Sequence, residues 1–502
     1  MASERFKKII RWPLFLYLLP VFFVLHGFTE SYFLVPVPDS FFLVLKYLTA
    51  TVLLHIVFYL FFRNNYRASF FLFVLLLVFF FFGAVHDAAK SALSGMFFSR
   101  YTFLLPFILV IAVAALILIK KKKLFARPAT YLNCLFLILI LFDMIQLSVK
   151  IPKYDRQHQL KSISQEFSLC DTCDRPDIYF IILDEYAGEK TLNDLYNFNN
   201  TAFLKQLEER NFQVIKNSIS NYNITPISVA SMLNINYPKF LGKDLTDISM
   251  RPIYNLIDTN ILVPFFRFHG YEFINNSTFT VNGQPPMVIQ PFTPVNTMLI
   301  ESQTLLSRLQ RDIGYLLVKW KITKSTSRDD YTVLNNNNRI LNNIMKEAKR
   351  NNKNPRLIFS LLTMPHFPYY YDSKGKAYPP SAIVEGTQWL EDHYLEYLLY
   401  TNKVIADLMD FILQNSQKPP VIILISDHGF RHYSKKVHEE YDFYNLIASH
   451  LPDRYSAKFE DSLSNVSYIR SLLNKLFNQK LAVDKQAKYY IPVPIKRNTK
   501  TE

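Results

Sequence analysis

The chain has 502 residues, half of them hydrophobic and 16% aromatic, with a formal net charge of +15. That length exceeds what one core organises and suggests roughly two to four domains, but the apolar residues crowd before residue 150, so a membrane region joined to a soluble one suffices. Part of the basic excess falls in loops between apolar runs and no nucleic-acid motif accompanies it; the expected partner is anionic lipid or glycan, not nucleic acid.

Uncharged apolar runs lie at about 13–28, 40–62, 68–85, 101–119 and 129–149, each near the roughly 20 residues that cross the hydrocarbon as a helix. They predict five transmembrane helices within residues 1–150. Lys46 and His55 in the second run do not exclude it, because an isolated polar side chain can snorkel or face a neighbouring helix. Arg5, Lys7, Lys8 and Arg11 precede the first run, Arg63 and Arg67 follow the second, and residues 120–123 with Arg127 follow the fourth. These basic loops are expected in the cytoplasm, and an odd number of spans then places everything after residue 150 outside it. The first run lacks a small-residue cleavage site and is expected to remain as an anchor.

Residues 151–175 are polar and charged and read as a linker. Within it "CDTC" holds Cys170 and Cys173, whose spacing fits a short-loop disulfide in an oxidising compartment and equally a linker pair with no role. The soluble domain is expected over residues 176–485, with a tail at 486–502. Three runs, "IYFIIL" from Ile178, "RLIFSLLTM" from Arg356 and "PVIILIS" from Pro420, suit central strands covered on both faces. Helical patterns at 200–212, 226–234, 328–350 and 389–415 alternate with them, so the fold expected is α/β with a mainly parallel central sheet. The asparagine-rich stretch before residue 354 keeps Leu334, Ile340, Leu341, Ile344 and Met345 on one helical face. Residues 275–300 read as an irregular excursion.

Each of the three strands ends in reactive groups: Asp184 and Glu185, His366, and Asp427 with His428. Sites in open α/β sheets form outside the carboxyl ends of strands, so these groups are placed to converge although some 240 positions apart. Two carboxylates and an imidazole are a donor set for one divalent ion of the zinc or manganese kind. Asp184 alone reads more readily as a helix cap than as a ligand, whereas an Asp-His pair after an apolar strand needs a partner to offset its desolvation. In "NYNITPISVASMLN", Pro226 suits the first helical position and places Thr225 at the N-cap. Its hydroxyl either caps the helix or, bound to a metal beside a phosphate-binding helix terminus, acts as a nucleophile.

The order of "DIYFIILDEYA", "NYNITPISVASMLN", "LLTMPHFPYYYD", "YTNKVIADLMDFIL" and "PPVIILISDHGFR" resembles the sulfatase-like branch of the alkaline phosphatase superfamily. The likeness is greatest to its membrane-anchored members, the lipoteichoic acid synthases and phosphoethanolamine transferases. It implies Asp184, Asp427 and His428 as ligands of one zinc or manganese ion, Thr225 as metal-touching nucleophile, and His366 as a contact to the substrate phosphate or a proton donor to the leaving group. It further implies a bacterial plasma-membrane enzyme with an extracytoplasmic catalytic domain, a phospholipid donor and a glycan or lipid acceptor; a hydrolase and a non-catalytic scaffold of the same fold remain as alternatives. The chain departs from the pattern in two places. Asp184 stands where the synthases have Glu, leaving Glu185 to share the role, and a further histidine is matched by either His432 or His438, each of which reads by itself as a surface residue. "TPIS" lacks the Cys or Ser and the Arg of the sulfatase C/S-x-P-x-R motif, which disfavours sulfate ester hydrolysis.

Overall fold

The computed structural model describes residues 12–32, 35–92, 97–121, 126–153, 167–170, 172–238, 250–290, 297–310, 331–379, 383, 391–433, 437–455, 458–484 and 487–491. The chain divides into two compact units, Met1–Tyr154 with Pro294–Lys324, and Asp155–Thr293 with Ser325–Glu502. Most of the linker and tail, and Arg5, Lys7, Lys8, Arg11, Lys122 and Lys123, lie outside the described residues.

In the first unit all five apolar runs form helices: α1 (Phe15–Glu30), α2 (Val37–Phe62), α3 (Asn65–Ala92), α4 (Tyr101–Lys121) and α5 (Ala126–Lys153). Among the described residues, four of them, α2 to α5, are long and apolar enough to cross a membrane. The fifth expected span, α1, has 16 residues; at 1.5 Å per residue it extends about 24 Å, short of the roughly 30 Å hydrocarbon. Phe15, Leu19, Phe23, Val24 and Phe28 of α1 are buried, and it packs against α2, α3 and α5. The longer helices turn Leu53, Leu60, Leu109, Val110, Ile138 and Leu141 outward, a surface that suits lipid and costs free energy in water.

Polar groups in this unit find partners on the chain. The Phe15 N–H donates to Asn133 Oδ1 at 2.6 Å and Asn133 Nδ2 donates to the Trp12 carbonyl at 2.7 Å, closing a helix start where water is scarce. The later segment around the short helix Met298–Glu301 belongs to the same unit. There Arg308 donates to both oxygens of Asp87 at 2.7 and 2.6 Å, and Lys46 Nζ donates to Glu301 Oε1 at 2.6 Å. The Gly83 N–H donates to the Gln303 carbonyl at 2.8 Å. A Cβ on Gly83 would meet the Gln303 backbone at 2.8 Å, so only glycine permits that approach.

The second unit is built on a six-stranded sheet of β1 (Ile178–Asp184), β2 (Phe212–Val214), β3 (Glu272–Asn276), β4 (Arg356–Pro365), β5 (Val421–Ser426) and β6 (Ile447–His450), in the order β2-β6-β5-β1-β4-β3. The sheet is mixed. Strands β3, β4, β1 and β5 run parallel, while β6 runs antiparallel to both β5 and β2. Every position of β1, β4 and β5 is buried, as the unbroken apolar runs require of strands covered on two faces. The site depends on helices α6 (Thr225–Leu233), α7 (Thr332–Lys349), α8 (Glu391–Asn415) and α9 (Asn465–Phe477). Helices α7 and α8 pack on β4 and on each other. The asparagines of α7 serve that packing: Asn337 donates to the Thr363 carbonyl at 2.9 Å and accepts from its N–H at 2.8 Å. Cys170 and Cys173 are joined in a disulfide.

Candidate active site

Parallel pairing brings the carboxyl ends of β1, β4 and β5 to one edge of the sheet. The β1–β4 register slips between Leu183 and Asp184, and Glu185 follows with φ +65°, a left-handed backbone that a residue bearing a long side chain rarely enters. The two consecutive carboxylates belong to different clusters, Asp184 with Asp427 and His428, and Glu185 with His366 and His432.

In the first cluster His428 Nε2 lies 3.8 Å from Asp184 Oδ1 and 3.5 Å from Asp427 Oδ2. Thr225 Oγ1 is 3.3 Å from Asp184 Oδ1 and 3.3 Å from His428 Nε2. Bonds of about 2.0–2.1 Å to one tetrahedral ion set neighbouring ligands roughly 3.3–3.4 Å apart; the two Thr225 distances match that spacing and the His428–carboxylate distances of 3.5 and 3.8 Å exceed it slightly. Asp184, Thr225, Asp427 and His428 are thus gathered as the sequence predicts.

Their surroundings aim them. Asp427 Oδ1 accepts from the backbone N–H groups of Glu185 at 3.1 Å and His428 at 2.8 Å, while its buried Oδ2 has no hydrogen-bond partner. His428 Nδ1 lies 2.7 Å from the Gly429 carbonyl. A carbonyl only accepts, so the proton sits on Nδ1 and Nε2 presents its lone pair to the cluster. Ser228 of α6 donates to the Asp427 carbonyl at 2.6 Å and Asn465 of α9 to the Ser426 carbonyl at 2.9 Å, fixing α6 against the end of β5. Gly429 is obligatory, since a Cβ there would lie 2.5 Å from the Tyr444 carbonyl oxygen.

The structure corrects the capping assignment. Ile224 is the N-cap, Thr225 is the first helical residue, and no side chain caps this terminus. Proline is tolerated throughout the first turn, so its presence does not fix the cap to one position. The consequence is chemical: the Thr225 hydroxyl is not spent on its own helix and points to the carboxylate and imidazole instead.

Asp184, Glu185, Asp427 and His428 are all buried. Burial raises the Asp184 carboxyl well above its ordinary range, and the negative charges of Asp427 and Glu185 raise it further. Burial also raises Asp427, against the pull of the Thr225 hydroxyl first and then of the Glu185 and His428 N–H groups. Glu185 is pushed up to about 8 by burial, with Arg431 opposing. Burial and the Arg431 guanidinium hold His428 well below the usual imidazole range, so it is neutral and a competent ligand. Three crowded carboxylates, an orphaned Asp427 oxygen and a neutral imidazole form a set that a divalent cation fits and stabilises.

In the second cluster His366 Nε2 lies 3.8 Å from Glu185 Oε2 and His432 Nε2 lies 3.4 Å from Glu185 Oε1. The surface reading of His432 is corrected: Phe430, 1% exposed and packed on Tyr394 at a centroid distance of 4.1 Å, pulls this segment inward. His438 is the surface residue, with a side chain 77% exposed. Sequence reasoning gave no role to Arg431, whose N–H donates to Glu185 Oε1 at 3.1 Å and whose Nη1 donates to the Asn223 carbonyl at 2.9 Å. The available signal was a lone arginine three residues after an Asp-His pair. Tyr369 and Tyr370 are core residues.

A mixed α/β sheet that presents a hydroxyl, two carboxylates and an imidazole at the tips of its parallel central strands has the form of a sulfatase-like enzyme. The chain belongs to the sulfatase family, whose model matches residues 176–451, more than half of its length. No curated protein matches it. Among solved structures it is similar to the periplasmic domain of EptC from Escherichia coli, at 16% identity and TM-score 0.37 over 62% of this chain and 85% of that one. The soluble domain of lipooligosaccharide phosphoethanolamine transferase A from Neisseria meningitidis is 14% identical with TM-score 0.36, covering 64% and 93%. A phosphonate monoester hydrolase from Silicibacter pomeroyi is 14% identical with TM-score 0.38, covering 62% and 76%. The family membership rests on the match over residues 176–451.

Proposed function

We propose that the chain is a metal-dependent membrane phosphotransferase. It moves a phospholipid head group of the phosphoethanolamine or phosphoglycerol type, through a threonine-bound intermediate, to a glycan or lipid acceptor. The observation that carries this reading is the Thr225 hydroxyl, uncapped and 3.3 Å from both Asp184 Oδ1 and His428 Nε2. A zinc or manganese ion held by Asp184, Thr225, Asp427 and His428 would lower the pKa of that hydroxyl and polarise a phosphoryl oxygen.

Thr225 Oγ1 forms the new bond to phosphorus and the diacylglycerol oxygen leaves. Asp184, which accepts the hydroxyl's hydrogen bond, is the first acceptor of its proton. The α6 terminus offers N–H groups and the positive end of its dipole to the phosphoryl oxygens. His366 would contact the transferred phosphoryl group, and the proton taken up by Asp184 passes to the leaving oxygen. A hydroxyl of the acceptor then repeats the displacement at the same phosphorus and frees Thr225.

The helices supply the donor. Arg63 and Arg67 lie at the junction of α2 and α3, and Lys120, Lys121 and Arg127 at the facing ends of α4 and α5. With both basic loops cytoplasmic, α2 to α5 alone carry the chain out after α5, whether or not α1 crosses. An extracytoplasmic catalytic unit tethered to a bacterial plasma membrane meets the donor lipid at high effective concentration.

The test is a detergent assay with head-group-labelled phospholipid, with and without a glycan acceptor. Label on the acceptor, abolished in Thr225→Ala, is expected. Release of the free head group to water at a rate indifferent to the acceptor would show a hydrolase and overturn the transferase reading.

A further inference from the structure

Residues 221–223 carry the chain into α6 and its nucleophile, and residues 487–491, beyond α9, run alongside them. We infer that residues 487–491 are a positioning strap: they clamp Asn221 and Asn223 and thereby hold the Thr225 hydroxyl in line for attack on phosphorus. The inference rests on the nucleophile reading above and adds Asn223 to it as a positioning residue, one that acts through its neighbours.

Alternate residues of the strap turn their backbone groups to the loop, as one edge of an extended segment does. Asn221 Nδ2 donates to the Ala487 carbonyl at 2.7 Å, and the Tyr489 N–H donates to the Asn221 carbonyl at 2.9 Å. Asn223 continues the pairing with its side chain: Nδ2 donates to the Ile491 carbonyl at 3.1 Å and Oδ1 accepts the Ile491 N–H at 3.0 Å. Between the two asparagines Tyr222 and Tyr489 form a parallel bridge, with their rings stacked at 5.2 Å and 19°. Asn221, Tyr222, Asn223 and Ile491 are all buried. Without the strap both amides lose partners that fix their direction, and the loop keeps only its contacts to the rest of the domain.

Those contacts make Asn223 a junction. Its carbonyl accepts from Arg431 Nη1 at 2.9 Å, and its Nδ2 lies 3.4 Å from Asp442 Oδ2. The Asp442 carbonyl accepts the Gly429 N–H at 2.8 Å, directly behind His428. Between Asn223 and the nucleophile stands one residue, Ile224, an extended N-cap that makes no side-chain capping bond. Ser228 ties α6 to the Asp427 carbonyl three residues further on. The strap therefore secures the start of the helix and Ser228 its first turn. A nucleophile displaced by about 1 Å loses its alignment, which costs a rate factor on the order of 10². Paired amides suit this task because a hydrogen bond fixes direction as well as distance.

The test is single-turnover labelling of Thr225 by head-group-labelled phospholipid, on the full chain in detergent. Its rate constant does not depend on how much of the protein is folded, whereas the labelled amount does. Asn223→Leu, which keeps the volume and removes both bonds to Ile491, is expected to slow labelling about 10²-fold with the final amount unchanged. Tyr489→Ala is expected to slow it by up to about tenfold, and Tyr489→Phe, which keeps the stacked ring, to restore the wild-type rate constant. Tyr489 is 41% exposed, which leaves its variants testable should Asn223→Leu not fold. Wild-type rate constants in Asn223→Leu, or in Tyr489→Ala where Asn223→Leu does not fold, overturn the strap. So does a smaller labelled amount at an unchanged rate constant, the mark of a brace that serves folding alone. A wild type that turns over without label on Thr225 overturns the nucleophile reading instead, and the strap falls with it.

Discussion

The two ends of the same strands treat charge in opposite ways. At the amino end, Arg356 opens β4 fully buried, with Nη1 donating to Glu347 Oε2 at 2.9 Å, Nη2 to Asp177 Oδ2 at 2.6 Å, and its own N–H to Asp177 Oδ1 at 2.8 Å. At the carboxyl end, Asp427 Oδ2 and Glu185 Oε2 are buried without a hydrogen bond. The first arrangement pairs its charges within the chain, although the buried Arg356 Nε has no hydrogen-bond partner. The second asks for a cation from outside, and that difference separates a structural ion network from a site.

The comparison breaks most sharply at Thr225. Thr225→Ala is expected to lower turnover roughly 10⁴-fold or more, as loss of a nucleophile does, while stability changes by less than about 1 kcal/mol because no capping bond is lost. A rate assay beside a denaturant titration reads both, and a variant that keeps activity sinks the nucleophile. At the other end of the sheet the pattern inverts. Arg356→Met leaves Asp177 without its ion pair and Glu347 with Arg350 alone, and should cost about 3–5 kcal/mol of stability, with the turnover of the remaining folded enzyme unchanged.

Removing the external cation sharpens the contrast further. Chelation should lower the melting temperature of the wild type, and restoring the ion at about 100 times its Kd should return roughly 2.7 kcal/mol. The same treatment of Asp427→Asn should move its melting temperature less; equal shifts in both proteins would place the stabilising ion elsewhere. The smallest effect concerns pH. Asp442 is buried and pushed up to about 7, chiefly by burial. A carboxyl with a raised folded value favours the folded state below its unfolded value near 4, and that contribution fades as pH rises through 7. Asp442→Asn should therefore flatten the fall of melting temperature between pH 4 and pH 8, by a few degrees at most; a curve parallel to the wild type would contradict this.

Much of this was legible before the fold. Strands β1, β4 and β5 announce themselves because burial on both faces demands unbroken apolar runs, and their polar tips mark the site. Strands β2, β3 and β6 do not, since they have only three to five residues each and expose some of them. The five apolar runs are helices, but hydropathy cannot show that α1 is a short inner element sheltered by its neighbours. The choice between His432 and His438 turns on one buried ring, Phe430, and the parting of Asp184 from Glu185 turns on a single left-handed residue. Neither leaves a trace in spacing. The slip of one residue at Thr225 mattered chemically, because it exchanged a helix cap for a reactive hydroxyl.

The central claim is that a hydroxyl on α6 carries the transferred group. Brief incubation of the wild-type chain with total membrane phospholipid, acid quench, proteolysis and mass spectrometry tests it most directly. The account predicts a phosphorylated head group on the peptide bearing Thr225, discharged on adding acceptor. Steady turnover with that peptide unmodified at every time sampled, or the adduct on another residue, would contradict it.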